Sequence, residues 1–260
     1  MSGLSNKELK YLASLQQKKY RKEHNQVLIE GLRLCEEALA SDWTLRELFV
    51  TPEFAERYAN SRLFGLAGEK HLIPHEITEN EFQRISDTRH GQGIALLADI
   101  PAQPVFDADP DWQRHLLIFD AISDPGNLGT ILRSSDWFGV SDIVLSSSSV
   151  EWTNPKVIRS SMGAIFRTRI YVKELPDFLP QLKEAGYTVL AAEMDGMPIS
   201  KLSDELTSSA WGLLIGSEAH GISNSLEKHI HTKIAIPGEG PADSLNVSTA
   251  TSIILYELVN

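Results

Sequence analysis

From residue 115 onward the chain alternates short apolar runs with helical stretches, and this alternation narrows the fold more than any other feature. Runs at 115–120, 142–146, 168–172, 187–192, 211–215 and 232–236 have the length and apolar continuity of buried strands. Between and after them, 127–138, 155–162, 175–185, 223–229 and 244–258 carry helical spacing. Parallel strands need long crossovers, usually helices, and strands covered on both faces lose their polar alternation. The pattern therefore predicts an α/β domain whose parallel sheet is covered by helices on both faces. Ligands of such sheets lie beyond the carboxyl ends of the strands. Three polar, glycine-containing loops follow strands here, at 121–130, 216–223 and 237–246.

Upstream, the apolar runs "QVLIEG", "LRELFVT" and "GIALLAD" alternate with helical patterns near 31–41, 53–66 and 78–85. Leu32, Cys35 and Leu39, with Leu34 and Ala38, recur at helical spacing and mark one buried face. This part reads as a smaller α/β domain behind a basic first helix. The stretch "IPAQPVFDADPDW" has three prolines, several acids and little periodicity, which suits a boundary. The expected organisation is a domain over 1–100, a linker over 101–113 and a second domain over 114–260. With 260 residues, 42% of them hydrophobic, both parts can bury a core. The lone cysteine, Cys35, rules out an internal disulfide and a cysteine zinc site, and it suits a reducing compartment. The first residues lack the apolar segment of a secretory signal, and no apolar run approaches the roughly 20 residues of a membrane span. The expectation is a soluble cytoplasmic protein with no membrane partner.

A net charge of −11 argues at first against a nucleic-acid partner. Its distribution is uneven. Residues 1–22 hold six Lys/Arg against one acid, Glu8, and residues 154–173 hold five Lys/Arg and no acid. Local potential outweighs the sum over a Debye length of about 8 Å. Each basic stretch reads equally well as a solvated face or as a grip on nucleic acid.

The loops have plain readings when taken singly. In "SDPGNLGTILRSSD", Pro125 and Gly126 make a turn, Asn127 is placed to cap a helix, and Arg133 follows less than two turns on. An arginine there offers a fixed fork of donors to phosphate or carboxylate; it can equally be a surface residue. In "WGLLIGSEAHGIS", Glu218 sits in a glycine-flanked turn at a strand end, and Ser223 is placed to cap a following helix. His220 has no second ligand at metal-binding spacing, so no metal is expected. In "IAIPGEGPADSLNVSTATSIILYELVN", the strand breaks at Pro237. A helix is expected from Ser244, with Ser244 and Asn246 in its first turn. None of the three contains GxGxxG or a phosphate-loop lysine.

Taken together and in order, "NLGTILR", "GSEAHGIS" and "IPGEGPADSLNVSTA" resemble the three motifs of the SpoU (TrmH-like) RNA ribose 2′-O-methyltransferases of the SPOUT superfamily. "NPKVIRSSMGAIFR" resembles a segment these enzymes carry between the first two motifs. "KKYRKEHNQVLIEGLRLCEEAL" resembles the start of their substrate-binding domain. The resemblance implies a C-terminal domain with a deep trefoil knot formed by 216–223 and 237–258, which composition and spacing do not reveal. It implies S-adenosylmethionine as the methyl donor, held by main-chain groups at Gly216, Ile236 and Leu245. Such a cofactor has no pyrophosphate, which explains the missing GxGxxG. Arg133 corresponds to the catalytic arginine, expected to orient the target phosphate and ribose. A guanidinium is hard to deprotonate, so a role as base is disfavoured. Asn127 and Glu218 are expected to order Arg133 and the loops, and Ser244 and Asn246 to contact the ribose or the knot.

The resemblance further implies a homodimer and an N-terminal domain that grips RNA. Arg21 and Arg33 are the candidates there, and Tyr11 and Tyr20 are either stacking platforms or core. The N-terminal domain points to large-subunit ribosomal RNA. Transfer RNA, a non-catalytic RNA-binding relative, and a dinucleotide oxidoreductase are the competing readings. Intact Arg133, Glu218 and "SLN" speak against the second, and the missing GxGxxG against the third.

Overall fold

The computed structural model describes residues 3–106, 114–203, 209–241 and 243–259, so most of the expected linker lies outside the described residues. The chain forms two compact units. One runs up to Ala102 and includes Thr153–Phe166; the other comprises Gln103–Trp152 and the chain from Arg167 onward.

The second unit is built on six strands: β5 (Leu116–Phe119), β6 (Asp142–Ser146), β7 (Arg169–Lys173), β8 (Thr188–Pro198), β9 (Trp211–Ile215) and β10 (Thr232–Ala235). They lie in the order β10-β8-β9-β5-β6-β7, and every pairing is parallel. Most lie within one or two residues of the runs read from sequence, because a strand covered on both faces must be apolar throughout. β8 is the exception, running on to Pro198. All of β5 and β9 is buried. A large apolar side chain stabilises by roughly 1.5–3 kcal/mol when buried; Trp211 and Phe119 are fully enclosed. Packing is close enough that a Cβ on Gly212 would stand 2.9 Å from the Ile118 side chain.

The chain leaves β5 toward β6 and β7, then returns to build β8, β9 and β10 on the other side of β5. The strand order therefore reverses between β5 and β9. In open α/β sheets such a switch point, at the carboxyl ends of the flanking strands, is where ligands are held. α7 (Pro125–Trp137) leaves β5, α9 (Leu175–Glu184) packs on β8, and the helix Val247–Val259 packs on α7. The α-helix expected over 223–229 is absent. A turn led by Ser223 and a single 3₁₀ turn at Glu227–His229 replace it, because only Ile222 and Leu226 of this polar stretch are buried.

The first unit holds a four-stranded mixed sheet of β1 (Gln26–Glu30), β2 (Leu45–Val50), β3 (His75–Glu76) and β4 (Ile94–Asp99), in the order β1-β4-β2-β3. Its helices include α3 (Leu32–Leu39) and α6 (Glu79–Ile85). The expected first helix is two helices, α1 (Asn6–Ser14) and α2 (Lys18–His24). The expected 53–66 helix is likewise two, α4 (Pro52–Arg57) and α5 (Arg62–Glu69). α8 (Pro155–Ser160) belongs to this unit although it lies between β6 and β7 in sequence.

Arg21, expected on an RNA-facing surface, is instead 2% exposed. Its Nη1 donates to the carbonyls of Leu15 at 2.9 Å and Gln16 at 2.7 Å, groups that the end of α1 leaves without helical partners. It is a structural arginine. Tyr11 is likewise committed, its hydroxyl donating to Gln26 Oε1.

Two histidines tie the amino ends of the parallel strands. His231 Nδ1 accepts the Val189 N–H at 2.9 Å. His115 Nδ1 accepts the Trp211 N–H at 3.4 Å, with its ring stacked on that indole at 4.2 Å. Both acceptors require neutral imidazole, and burial holds both below the ordinary value of 6.5. The unfolded chain binds these protons more tightly, so their contribution is complete above about pH 6.5 and declines as the pH falls below it. Urea midpoints should therefore drop between pH 7.5 and 5.5, and drop less in a His115→Phe/His231→Asn variant. An equal drop in the variant would contradict this assignment.

Candidate functional site

Three short chain reversals, after β5, β9 and β10, meet through side-chain hydrogen bonds beside the switch point. Asp120 follows β5 directly and is 7% exposed. Its N–H donates to Ile215 O, and its Oδ2 accepts the Ser223 N–H at 2.8 Å, holding the loop after β9 at both ends. Within that loop Ser217 and Gly221 exchange two main-chain hydrogen bonds of 3.0 Å. Gly216 lies so close to this closure that an added Cβ would stand 2.1 Å from the Gly221 carbonyl carbon. The sequence marked Gly216, but not Asp120. The signal for Asp120 was a lone acid directly after a fully apolar strand.

α7 begins at Pro125, and its N-cap is Asp124, whose Oδ1 accepts the Asn127 N–H at 2.8 Å. Asn127 is thus not the cap. Its side chain bridges loops instead: Nδ2 donates to Glu218 Oε1 at 2.7 Å, and Oδ1 accepts from Asn246 Nδ2 at 3.1 Å. Asn246 in turn takes the Ser248 N–H at 2.9 Å and its hydroxyl at 2.6 Å on Oδ1, and so caps the helix Val247–Val259. That helix was expected from Ser244. Its start three residues later makes Asn246 the cap and leaves Ser244 exposed, with no hydrogen bond among the described residues. One continuous chain, Glu218–Asn127–Asn246–Ser248, therefore runs through all three loops.

Arg133 stands apart from that chain. It is exposed on α7, with no hydrogen bond or ion pair among the described residues, and neither Asn127 nor Glu218 bonds to it. Its donors are open to a ligand. Beyond the end of β10, Ile236 is half-buried and Leu245 is 48% exposed. With Gly216 they offer apolar side chains and main chain rather than a cage of charges. Among the described residues no group of His, Cys, Asp and Glu is placed to hold a metal ion.

The model of the SpoU rRNA Methylase family matches residues 114–256, more than half of the chain. The chain belongs to this family. Residues 6–96 match a second model, the MRM3-like substrate binding domain. Among curated proteins, the 23S rRNA (guanosine(2553)-2′-O)-methyltransferase RlmP of Bacillus subtilis (strain 168) is 30% identical over 259 residues, covering 99% of this chain and 98% of that one. Among solved structures, a TrmH-family protein from Porphyromonas gingivalis is 31% identical with a TM-score of 0.83, covering 99% and 98% of the two chains. An AdoMet-bound rRNA methyltransferase from Sinorhizobium meliloti is 28% identical with a TM-score of 0.85, covering 99% and 96%. This SpoU-family chain is an S-adenosylmethionine-dependent RNA methyltransferase.

The two polar residues of the third motif separate cleanly by stability. Asn246→Ala should cost about 1 kcal/mol, the usual value of an N-cap side chain, and should speed amide exchange at Ser248. Ser244→Ala should leave unfolding unchanged. Urea melts and hydrogen exchange check both; equal behaviour of the two variants would contradict the cap.

Proposed function

We propose that this methyltransferase acts on a ribose 2′-hydroxyl of large-subunit ribosomal RNA, with Arg133 contacting the target nucleotide. The observation that carries this reading is the Glu218–Asn127–Asn246 chain, which joins the three loops at the sheet's switch point and leaves Arg133 uncommitted. The choice of RNA is supported by the Bacillus subtilis relative, a 23S rRNA enzyme that matches both units of the chain.

The residues present fit the methyl donor. Gly216, Ile236 and Leu245 provide an uncharged, main-chain-rich surface suited to adenine, with Leu245 still half open to be covered. When bound, S-adenosylmethionine supplies an electrophilic methyl group on a sulfonium. A neutral ribose hydroxyl is a weak nucleophile, so the chain's own work is to align it and favour loss of its proton. Arg133 serves the alignment. Its planar fork suits a phosphate oxygen pair, and its permanent charge stabilises anionic character at the hydroxyl without acting as a base. The proton leaves to a neighbouring phosphate or water. Glu218, Asn127 and Asn246 hold the loops in register, and Ser244 has its hydroxyl open for the ribose.

A knot over 216–223 and 237–258 belongs to this reading. It is supported by the match of residues 114–256 to the SpoU rRNA Methylase family. So does a homodimer. Trp137, Ile253, Tyr256 and Val259 are all exposed apolar side chains on α7 and the helix packed beside it. Arg133 lies four residues from Trp137 on one helical face, so a second copy covering Trp137 would bring the catalytic site to the interface. A cytoplasmic location fits the single buried thiol of Cys35, which burial pushes well above the ordinary range.

The reading is tested with tritiated S-adenosylmethionine and total RNA from cells lacking the gene. Label should appear on large-subunit rRNA as an alkali-resistant dinucleotide; label on transfer RNA would overturn the choice of RNA. Arg133→Ala should lower methyl transfer by roughly a hundredfold or more, the scale of losing a positioned charge-stabilising group, while calorimetry finds donor affinity unchanged. Arg133→Lys should recover little, since it lacks the fork. Full activity of Arg133→Ala would contradict its role.

A further inference from the structure

The N-terminal unit contains a cleft of about 640 Å³, inside the roughly 300–1,000 Å³ range of ligand sites. Its walls come from the β1–α3 turn and α3 through Glu37, from Arg62 on α5, from Thr88 and 90–92, and from Arg159 and Met162. Arg33, Arg62, Arg159, His90, Gln92 and Met162 line it, with Leu32 and Leu34 adding apolar surface.

The cleft is closely built. Buried Glu30 takes Ser86 Oγ at 2.5 Å and the Asp87 N–H at 2.7 Å, fixing the start of the 86–93 loop. Gln92 Oε1 accepts the Leu32 N–H at 2.8 Å, which fixes its end and leaves the amide NH₂ as a donor. Met162 is held at φ 51, a conformation uncommon for a side-chain-bearing residue, and Gly163 beyond it packs against Glu37.

Charges inside the cleft are largely matched. Arg62 bonds Glu36 at 3.2 Å, and Arg159 bonds Asp87 at 2.8 Å. The interior therefore suits a neutral heterocycle with donors and acceptors on its edges better than a polyanion. Arg33 differs: it is exposed, with no acid partner or hydrogen bond among the described residues. Lys7, Lys10, Lys18, Lys19 and Lys22 of the same unit are also exposed and form no ion pair among the described residues. Sequence-specific RNA recognition works largely on unstacked bases, whose edges are read while cations hold the backbone.

We propose that this cleft receives one unstacked nucleobase of the substrate RNA, with Arg33 on an adjoining phosphate. The inference rests on the RNA methyltransferase reading and adds a base-reading contact on the unit that does not carry the methyl-transfer loops.

The test uses the full-length protein and an unmodified large-subunit rRNA transcript carrying 4-thiouridine. Ultraviolet crosslinks should map to peptides within 31–37, 88–92 and 159–163. Arg33→Ala should weaken transcript binding about five- to tenfold and lower the slope of log affinity against log salt by about one. His90→Ala should weaken binding without changing that slope, and both should keep wild-type affinity for S-adenosylmethionine. Crosslinks confined to other segments, or unchanged binding by both variants, would overturn the cleft while wild-type methylation of the transcript still stands. A defect seen only on assembled ribosomal subunits and absent on bare transcript would assign the cleft to a protein and also overturn it. Failure of the wild type to methylate any RNA would instead overturn the activity on which the inference rests.

Discussion

Asn127 can join two loops because Asp124 has taken over the capping of α7. With Asp124 on the Asn127 N–H, the asparagine side chain has one donor side and one acceptor side to spend elsewhere. It gives the first to Glu218 and the second to Asn246. Each of these residues comes from a loop that follows a parallel strand. Asp120 adds a second tie, from the end of β5 to Ser223. Remove the amide and three reversals of chain lose their common point. The fold supplies the place, because the strand order reverses between β5 and β9; the amide supplies the register.

Charge is divided as the two tasks require. The N-terminal unit, with Thr153–Phe166, has fifteen basic and fifteen acidic residues; the other unit has nine basic and twenty acidic, so the whole net charge of −11 lies there. An acidic unit disfavours broad contact with a polyanion, so local cations such as Arg133 matter more there than the net charge. The neutral unit carries Arg33 and five exposed lysines, Lys7, Lys10, Lys18, Lys19 and Lys22, that form no ion pair among the described residues. This division fits the proposed reading, in which RNA is gripped by the N-terminal unit and the target nucleotide meets Arg133. α8 and its flanks, which belong to the N-terminal unit, are also the covalent connection between β6 and β7.

The parallel sheet was legible because two-sided burial forces continuous apolar runs, and β5, β6 and β9 fell within a residue or so of expectation. The three loops were legible as places, and their bonding was not. Asn127 looks like a cap because asparagine favours that position, yet the Asp-Pro pair before it makes the better start. Arg21 sits in a basic run and reads as a candidate for RNA contact. What buries it is the pair of carbonyls at the end of α1, which no local pattern announces. β3, two residues long, has too little periodicity to read. The transfer of 153–166 to the other unit depends on contacts far apart in sequence, such as Trp43 on Phe166 at 5.0 Å.

The central claim is that the three loops act as one site through Asn127. Hydrogen–deuterium exchange of the wild type and Asn127→Ala, each with and without S-adenosylmethionine, tests it most directly. In the wild type the peptides covering 121–127, 216–223 and 236–248 should gain protection together at one donor concentration. In Asn127→Ala the three should respond weakly and at different concentrations. Concerted protection that survives loss of the Asn127 amide, or protection of only one loop in the wild type, would contradict the account.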